Sequence, residues 1–407
     1  MPARSRSSER LRSVTDLACV VLFSAALALP LLGFVFDWHP VVPPEKPLHR
    51  ADAPLPELYP LDGLATRIDR YFQVHLGFRQ RLVRWNSAVT LLWLHTSPET
   101  RIRDRDDLYL NPGRSMFGDV ILGREGWLFY FAPFSEDSLR GLDPMGPEVV
   151  ADWRRYFENR HRLLATRGVR YLLVIVPEKY SALPELLPSH MQQRTSPSRS
   201  DQLVAELEAN SGVNLLDLRG FMRELESEHP IYHSTGTHWN ELGAFRAYQA
   251  LIERLQRWFP LLEPRRIEDF AVEHRVGPAR LLADLLSLSG MVADEYVDLV
   301  PREPRIARTI GLKDRWRERG LHRRTGRRAL PRAVFLHDSF VASYMEPFLS
   351  EHFEAASYFW QAATPLSRVL RANPDLVVEV RVERYFDRWI AVPNGLPVDR
   401  LGLAAGD

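Results

Sequence analysis

Apolar positions along this chain follow three patterns. From Leu17 to Phe36 they form a nearly unbroken run of twenty residues. At about 1.5 Å per helical residue this reaches across the roughly 30 Å hydrocarbon core of a bilayer. Between Ile68 and Leu92 they recur every three or four residues (Tyr71, Phe72, Leu76, Phe78, Leu82, Trp85, Val89), the period of an amphipathic helix. Beyond Gly123 short apolar runs alternate with helix-period stretches. Gly123–Tyr130 reads as a turn followed by an aromatic strand. The pattern predicts helices at 148–166, 199–210, 243–257 and 364–372. It predicts strands at Val169–Val176, Val213–Leu218, Ala333–Leu336 and Leu376–Val380. Such alternation implies an α/β domain, a mostly parallel sheet with helices on both faces, whose functional groups gather at the carboxyl ends of the strands.

Charge gives the first run an orientation. Arg4, Arg6, Arg10 and Arg12 precede it and Asp37 follows. By the positive-inside rule residues 1–16 are then a cytoplasmic tail, 17–36 an uncleaved single-pass inner-membrane anchor, and the rest faces the periplasm. Seven prolines between Pro40 and Pro60 make 37–60 an extended linker. The domain is expected over 61–395, with a tail at 396–407. Cys19, the only cysteine, sits in the apolar run, so no disulfide or thiol chemistry is expected outside the membrane.

The formal charge of +1 gives no overall field that would gather nucleic acid. Between Pro301 and Leu330, however, eleven Lys/Arg face three acidic residues. That stretch reads as a solvated connection, or as a surface that collects an anionic polysaccharide. The sequence has no phosphate-binding glycine loop and no metal-ligand spacing, so neither cofactor nor metal is expected.

Two short stretches carry candidate chemistry. Ser339 follows the apolar strand Ala333–Leu336, where a sheet fixes a side chain beside a turn, as a nucleophile requires. His238, in Gly236-Thr237-His238-Trp239-Asn240, is a candidate base, with Asn240 placed to cap the helix after it. Backbone N–H groups of Ser339 and Phe340 are candidate oxyanion donors, with Tyr344 as a further donor or a core residue beside Phe348. Lys179 and Arg384 are candidate ligands for sugar carboxylates, or ordinary ion-pair partners. His337 is a second base or a bulky neighbour.

Five segments in order resemble a known family. Gly123–Tyr130 resembles its GkdGWLFY element and Val176–Lys179 its PxK element. Thr237-His238-Trp239 resembles its DxHW element, Asp338-Ser339-Phe340 its DSF segment, and Pro374–Val377 through Arg384 its closing strand. The family is the SGNH-hydrolase-like O-acetyltransferases of the alginate type (AlgJ/AlgX, the DHHW family). The resemblance implies a flavodoxin-like domain in which Ser339 takes an acetyl group, with His238 as base, and passes it to a hydroxyl of an exported polysaccharide. Trp239 would then line the substrate site. It also implies a membrane-bound O-acyltransferase as acetyl supplier.

One position departs from the family pattern. Where an aspartate orients the histidine, this chain has Gly236. A serine–histidine pair needs its base held in one tautomer. A backbone carbonyl, or Glu178, Asp217 or Asp338, would have to do so, or the domain would be an inactive polysaccharide-binding scaffold. An acetyl esterase would use the same residues.

Overall fold

The computed structural model describes residues 119–387 apart from 133–134, 190, 227–228, 287, 289, 313–319 and 361–363. All belong to residues 96–407, one of two units into which the chain divides. The expected anchor, linker, 68–92 helix and C-terminal tail lie outside the described residues. Among the described residues no helix is long and apolar enough to cross a membrane.

A hairpin of β1 (Asp119–Leu122) and β2 (Leu128–Phe131) opens the described chain. Among the described residues three helices exceed ten residues: α1 (Pro147–Ala165), α2 (Arg199–Asn210) and α3 (Glu241–Gln256). Between and after them come β3 (Arg170–Val176), β4 (Leu215–Asp217), β5 (Phe270–Pro278), β6 (Ala293–Pro301), β7 (Arg308–Leu312) and β8 (Gly320–Arg324). Then follow β9 (Arg332–His337), β10 (Ala355–Trp360) and β11 (Leu376–Val382).

Seven strands make one mixed sheet in the order β4-β3-β11-β9-β10-β8-β7. The first five are parallel, and β8 and β7 extend the sheet antiparallel beyond β10. Two pieces of the basic stretch after Pro301, Arg308–Leu312 and Gly320–Arg324, are therefore sheet, with Arg323 paired to Glu346 at 2.8 Å and Arg324 to Glu354 at 3.3 Å. β5 and β6 form a separate nine-residue ribbon that the sequence pattern did not announce. Five of β5's residues are exposed in succession, so no alternation marks it.

Both faces of the sheet are buried, and the two-residue period of a strand divides the core between them. On β3, Leu172, Val174 and Val176 pack with α3 and its neighbours, whereas Tyr171, Leu173 and Ile175 pack with α1 and α2. β9 divides likewise, Ala333 and Phe335 against Val334 and Leu336. On β11 the face toward α1 carries Val377 and then Glu379 and Arg381. These meet Arg160 of α1: Glu379 accepts from Arg160 at 2.5 Å, Arg381 Nε at 2.6 Å and the Tyr171 hydroxyl at 2.8 Å. Burial pushes the Glu379 carboxyl up, but the two guanidiniums outweigh it and hold it down at about 2.

Glu379→Ala leaves two guanidiniums buried without their counter-ion and is expected to lower stability by about 3–5 kcal/mol in urea unfolding. Because the folded pKa is depressed, Glu379's contribution is present above the ordinary carboxylate range. It is lost only as pH falls toward 2. A loss under about 1 kcal/mol at neutral pH would contradict this account of the network.

Candidate active site

Ser339 stands where β9 ends, and a buried carboxylate sets its position. Asp338 accepts from Phe340 N at 2.9 Å with one oxygen and from Val382 N, at the end of β11, at 2.8 Å with the other. It thereby ties the nucleophile turn to the neighbouring strand. The chain then enters a π-helical turn, Val341–Met345, a distortion common at functional sites. Ser339 itself is half-buried, within a turn whose Val341 and Met345 face the core.

His238 precedes α3, and its placement follows from how that helix starts. Asn240 caps α3 by accepting from Gly243 N at 3.0 Å. Gly243 is required there, because a Cβ would stand 2.3 Å from Ile231 O. Trp239 is fully buried and its indole donates to Phe340 O at 3.1 Å, which locks the histidine segment to the serine segment. The result is a Ser339 Oγ to His238 Nε2 separation of 2.7 Å, within hydrogen-bond reach.

The other ring nitrogen meets a hydroxyl rather than a carboxylate. His238 Nδ1 lies 3.0 Å from Thr237 Oγ1. For Ser339 to donate to Nε2 the neutral ring carries its proton on Nδ1, and Thr237 accepts it. The tautomer is thus the one that a serine nucleophile needs, but no adjacent anion stabilises an imidazolium. Burial, then Arg384, Arg280, His233 and Lys179, holds His238 down to about 3.

The loop before His238 is clamped from two sides. Lys179 Nζ donates to the carbonyls of His233 (2.8 Å), Ser234 (3.1 Å) and Gly236 (2.6 Å), which uses all three protons of an ammonium. Burial pulls its pKa down to about 7, against Asp294, Glu226 and Glu178. The three carbonyls favour the charged form. Asp294, on β6, accepts from the N–H and hydroxyl groups of both Ser234 and Thr235, between 2.5 and 3.2 Å. Burial raises its carboxyl, yet these bonds and His233 hold it well below the usual carboxylate range.

Gly236 has an ordinary backbone conformation, and the space beside it is occupied. A Cβ there would stand 3.2 Å from Cβ of both His233 and Arg280. Arg280 follows the β5 ribbon, where the chain pattern gave no signal. Its Nη2 donates to His233 Nε2 at 2.9 Å and to the Tyr344 hydroxyl, and its backbone N–H to Thr235 Oγ1 at 2.8 Å.

Several residues singled out in the sequence do other work than expected. None of the three proposed orienting acids touches His238. Glu178 pairs with Arg384, Asp217 holds Arg219 at 2.8 Å, and Asp338 serves the two backbone N–H groups above. The Phe340 N–H is spent on Asp338, so of the two expected backbone oxyanion donors only that of Ser339 is left. Lys179 is held by three carbonyls, Arg384 is ion-paired with Glu178 inside the protein and Trp239 is in the core, so none of them lies open to a sugar. His337 packs edge-on between Tyr358 and Trp360, a bulky neighbour on the β10 side. Tyr344 is half-buried with its hydroxyl on His233 (3.0 Å) and Arg280, neither plain core nor a free donor.

The family described as "SGNH hydrolase-like domain, acetyltransferase AlgX" matches residues 120–353, more than half of the chain. The probable alginate O-acetylase AlgJ of Pseudomonas aeruginosa is 29% identical over 188 residues, 45% of this chain and 44% of that protein. The chain thus spans under half the length of this curated relative. PatB1 of Bacillus cereus superposes with a TM-score of 0.51 at 14% identity, over 66% of this chain and 97% of that one. A DHHW family protein of Eubacterium siraeum gives 0.50 at 13%, over 68% and 94%. These two likenesses show the fold.

In an NMR titration the His238 ring is expected to stay neutral down to about pH 4. A wild-type midpoint near 6.5 would contradict the electrostatics described.

Proposed function

Since the chain belongs to the family of SGNH hydrolase-like domains of the acetyltransferase AlgX type, we propose that it is an O-acetyltransferase working through an acetyl-serine. The observation that carries this reading is the 2.7 Å contact between Ser339 Oγ and His238 Nε2. Ser339 attacks the acetyl carbonyl, and its proton passes to Nε2. As the donor's C–O bond breaks, that proton leaves with the departing oxygen. An acceptor hydroxyl then attacks the acetyl-serine, His238 takes its proton, and Ser339 is released protonated.

The acceptor is a hydroxyl of an exported polysaccharide, alginate-like or another. The domain faces the periplasm from an inner-membrane anchor at 17–36, and a membrane-bound O-acyltransferase supplies acetyl groups. The basis for the location is the arginine-flanked apolar run, and for the partner it is the family resemblance. An acetyl esterase would differ only in that water attacks the acyl-enzyme. Gly236 favours a scaffold that has lost its chemistry, but the aligned serine and histidine weigh against it.

Incubation with 4-nitrophenyl acetate should release nitrophenol and leave Ser339 acetylated, seen as a 42 Da gain by mass spectrometry (~42, one acetyl group replacing one proton). Ser339→Ala should lose both signals, and His238→Ala should lower turnover about 10²–10⁴-fold. Undiminished hydrolysis by Ser339→Ala would refute the acetyl-serine.

A further inference from the structure

Strand β5 is paired along one edge only. It meets β6 over nine residues, and no third strand joins their ribbon among the described residues. Val272 to Val276 are exposed in succession, Val272 at 44% and Val276 at 73%. An open edge of this length is a template for one more strand, and proteins commonly blunt such edges with lysine or proline. This one carries Val272-Glu273-His274-Arg275-Val276 at its middle, with proline only at its last position, Pro278.

The order of those five residues fits a copy of itself. When a second β5 runs antiparallel about a two-fold axis at His274, Val272 lies opposite Val276 on one face and Glu273 opposite Arg275 on the other. In that register the strands overlap over their full length, Phe270 to Pro278. A slip of one residue puts the side chains on the wrong faces, and a slip of two sets Glu273 against Glu273 or Arg275 against Arg275. Only the full overlap matches charge with countercharge. Within the ribbon, moreover, Glu273 stands opposite Asp298, acid against acid, while Arg275 is held over the Tyr296 ring at 4.1 Å. The partner's Arg275 brings to Glu273 the cation that β6 does not. On the other face Val272 is opposite Leu299, so the valines extend the side of β6 on which Val297 and Leu299 join the core. We propose that the outer edge of β5 is a self-association surface, where a second copy of this chain adds its own β5 and the two ribbons become one four-stranded sheet. That sheet carries groups that hold the His238 loop, Asp294 on β6 and Arg280 just after β5.

The test uses the full chain in detergent, with Cys19→Ser as the parent so that no native thiol takes part. Analytical ultracentrifugation of the parent should show a monomer–dimer equilibrium. Arg275→Glu sets like charges opposite at two symmetric contacts and should weaken the dimer by at least about 10-fold. Adding Glu273→Arg to that variant restores the match, and places a cation opposite Asp298, so it should recover the dimer. Cysteine variants read the register directly under mild oxidation. His274→Cys, on the axis, should give a covalent dimer. Val272→Cys alone should not, because its own copy lies four residues away along the strand, whereas Val272→Cys with Val276→Cys should. A monomeric parent, its edge left open or taken by another segment or another protein, overturns the proposal. So does a dimer that Arg275→Glu leaves intact. Equal cross-linking through Val272→Cys and His274→Cys also overturns it, and this readout decides the matter if a charge variant does not fold.

Discussion

The buried carboxylate of Asp338 is the fixed point from which the site is built. With both oxygens accepting backbone N–H groups, one from the nucleophile turn and one from the end of β11, it makes the position of Ser339 a property of the sheet. Trp239 carries that certainty across to the histidine segment through its bond to Phe340 O. Lys179 and Asp294 then restrain the loop between them. Three of these four groups are charged, and none is available to substrate. Their role is to hold irregular backbone in the interior, where its carbonyls and N–H groups would otherwise go unpaired.

This explains why chemistry-bearing residue types misled the sequence reading while the positions of the elements did not. β3, β9 and β11 were legible as short continuous apolar runs because both of their faces are buried, and α1 to α3 because each buries one face at the helical period. The Ser339 and His238 candidates were legible because each ends such an element. Lys179, Arg384 and Asp338 are also polar residues at strand ends, and composition alone does not distinguish a group that holds backbone from one that meets a ligand. Asp294 and Arg280 were missed for a different reason. Asp294 lies on β6 and Arg280 just after β5, in and beside a ribbon whose exposed β5 face gives no alternation, and they reach the site only through the tertiary fold.

The departure at Gly236 alters the electrostatics of the pair more than its geometry. Thr237 keeps the tautomer, so orientation is not what is lost. What is lost is charge, because a hydroxyl accepts the Nδ1 proton without stabilising a positive ring. Every unit by which His238 lies below its ordinary pKa adds ~1.4 kcal/mol to the step in which it becomes charged. In the acetyl transfer proposed above, the same surrounding cations lower the energy of the tetrahedral intermediate's oxyanion, so the field opposes the base and assists the intermediate. A family triad supplies its carboxylate from the chain at position 236. Here the stem of Arg280 stands against that position, and its charge adds to the burial that keeps the His238 ring neutral.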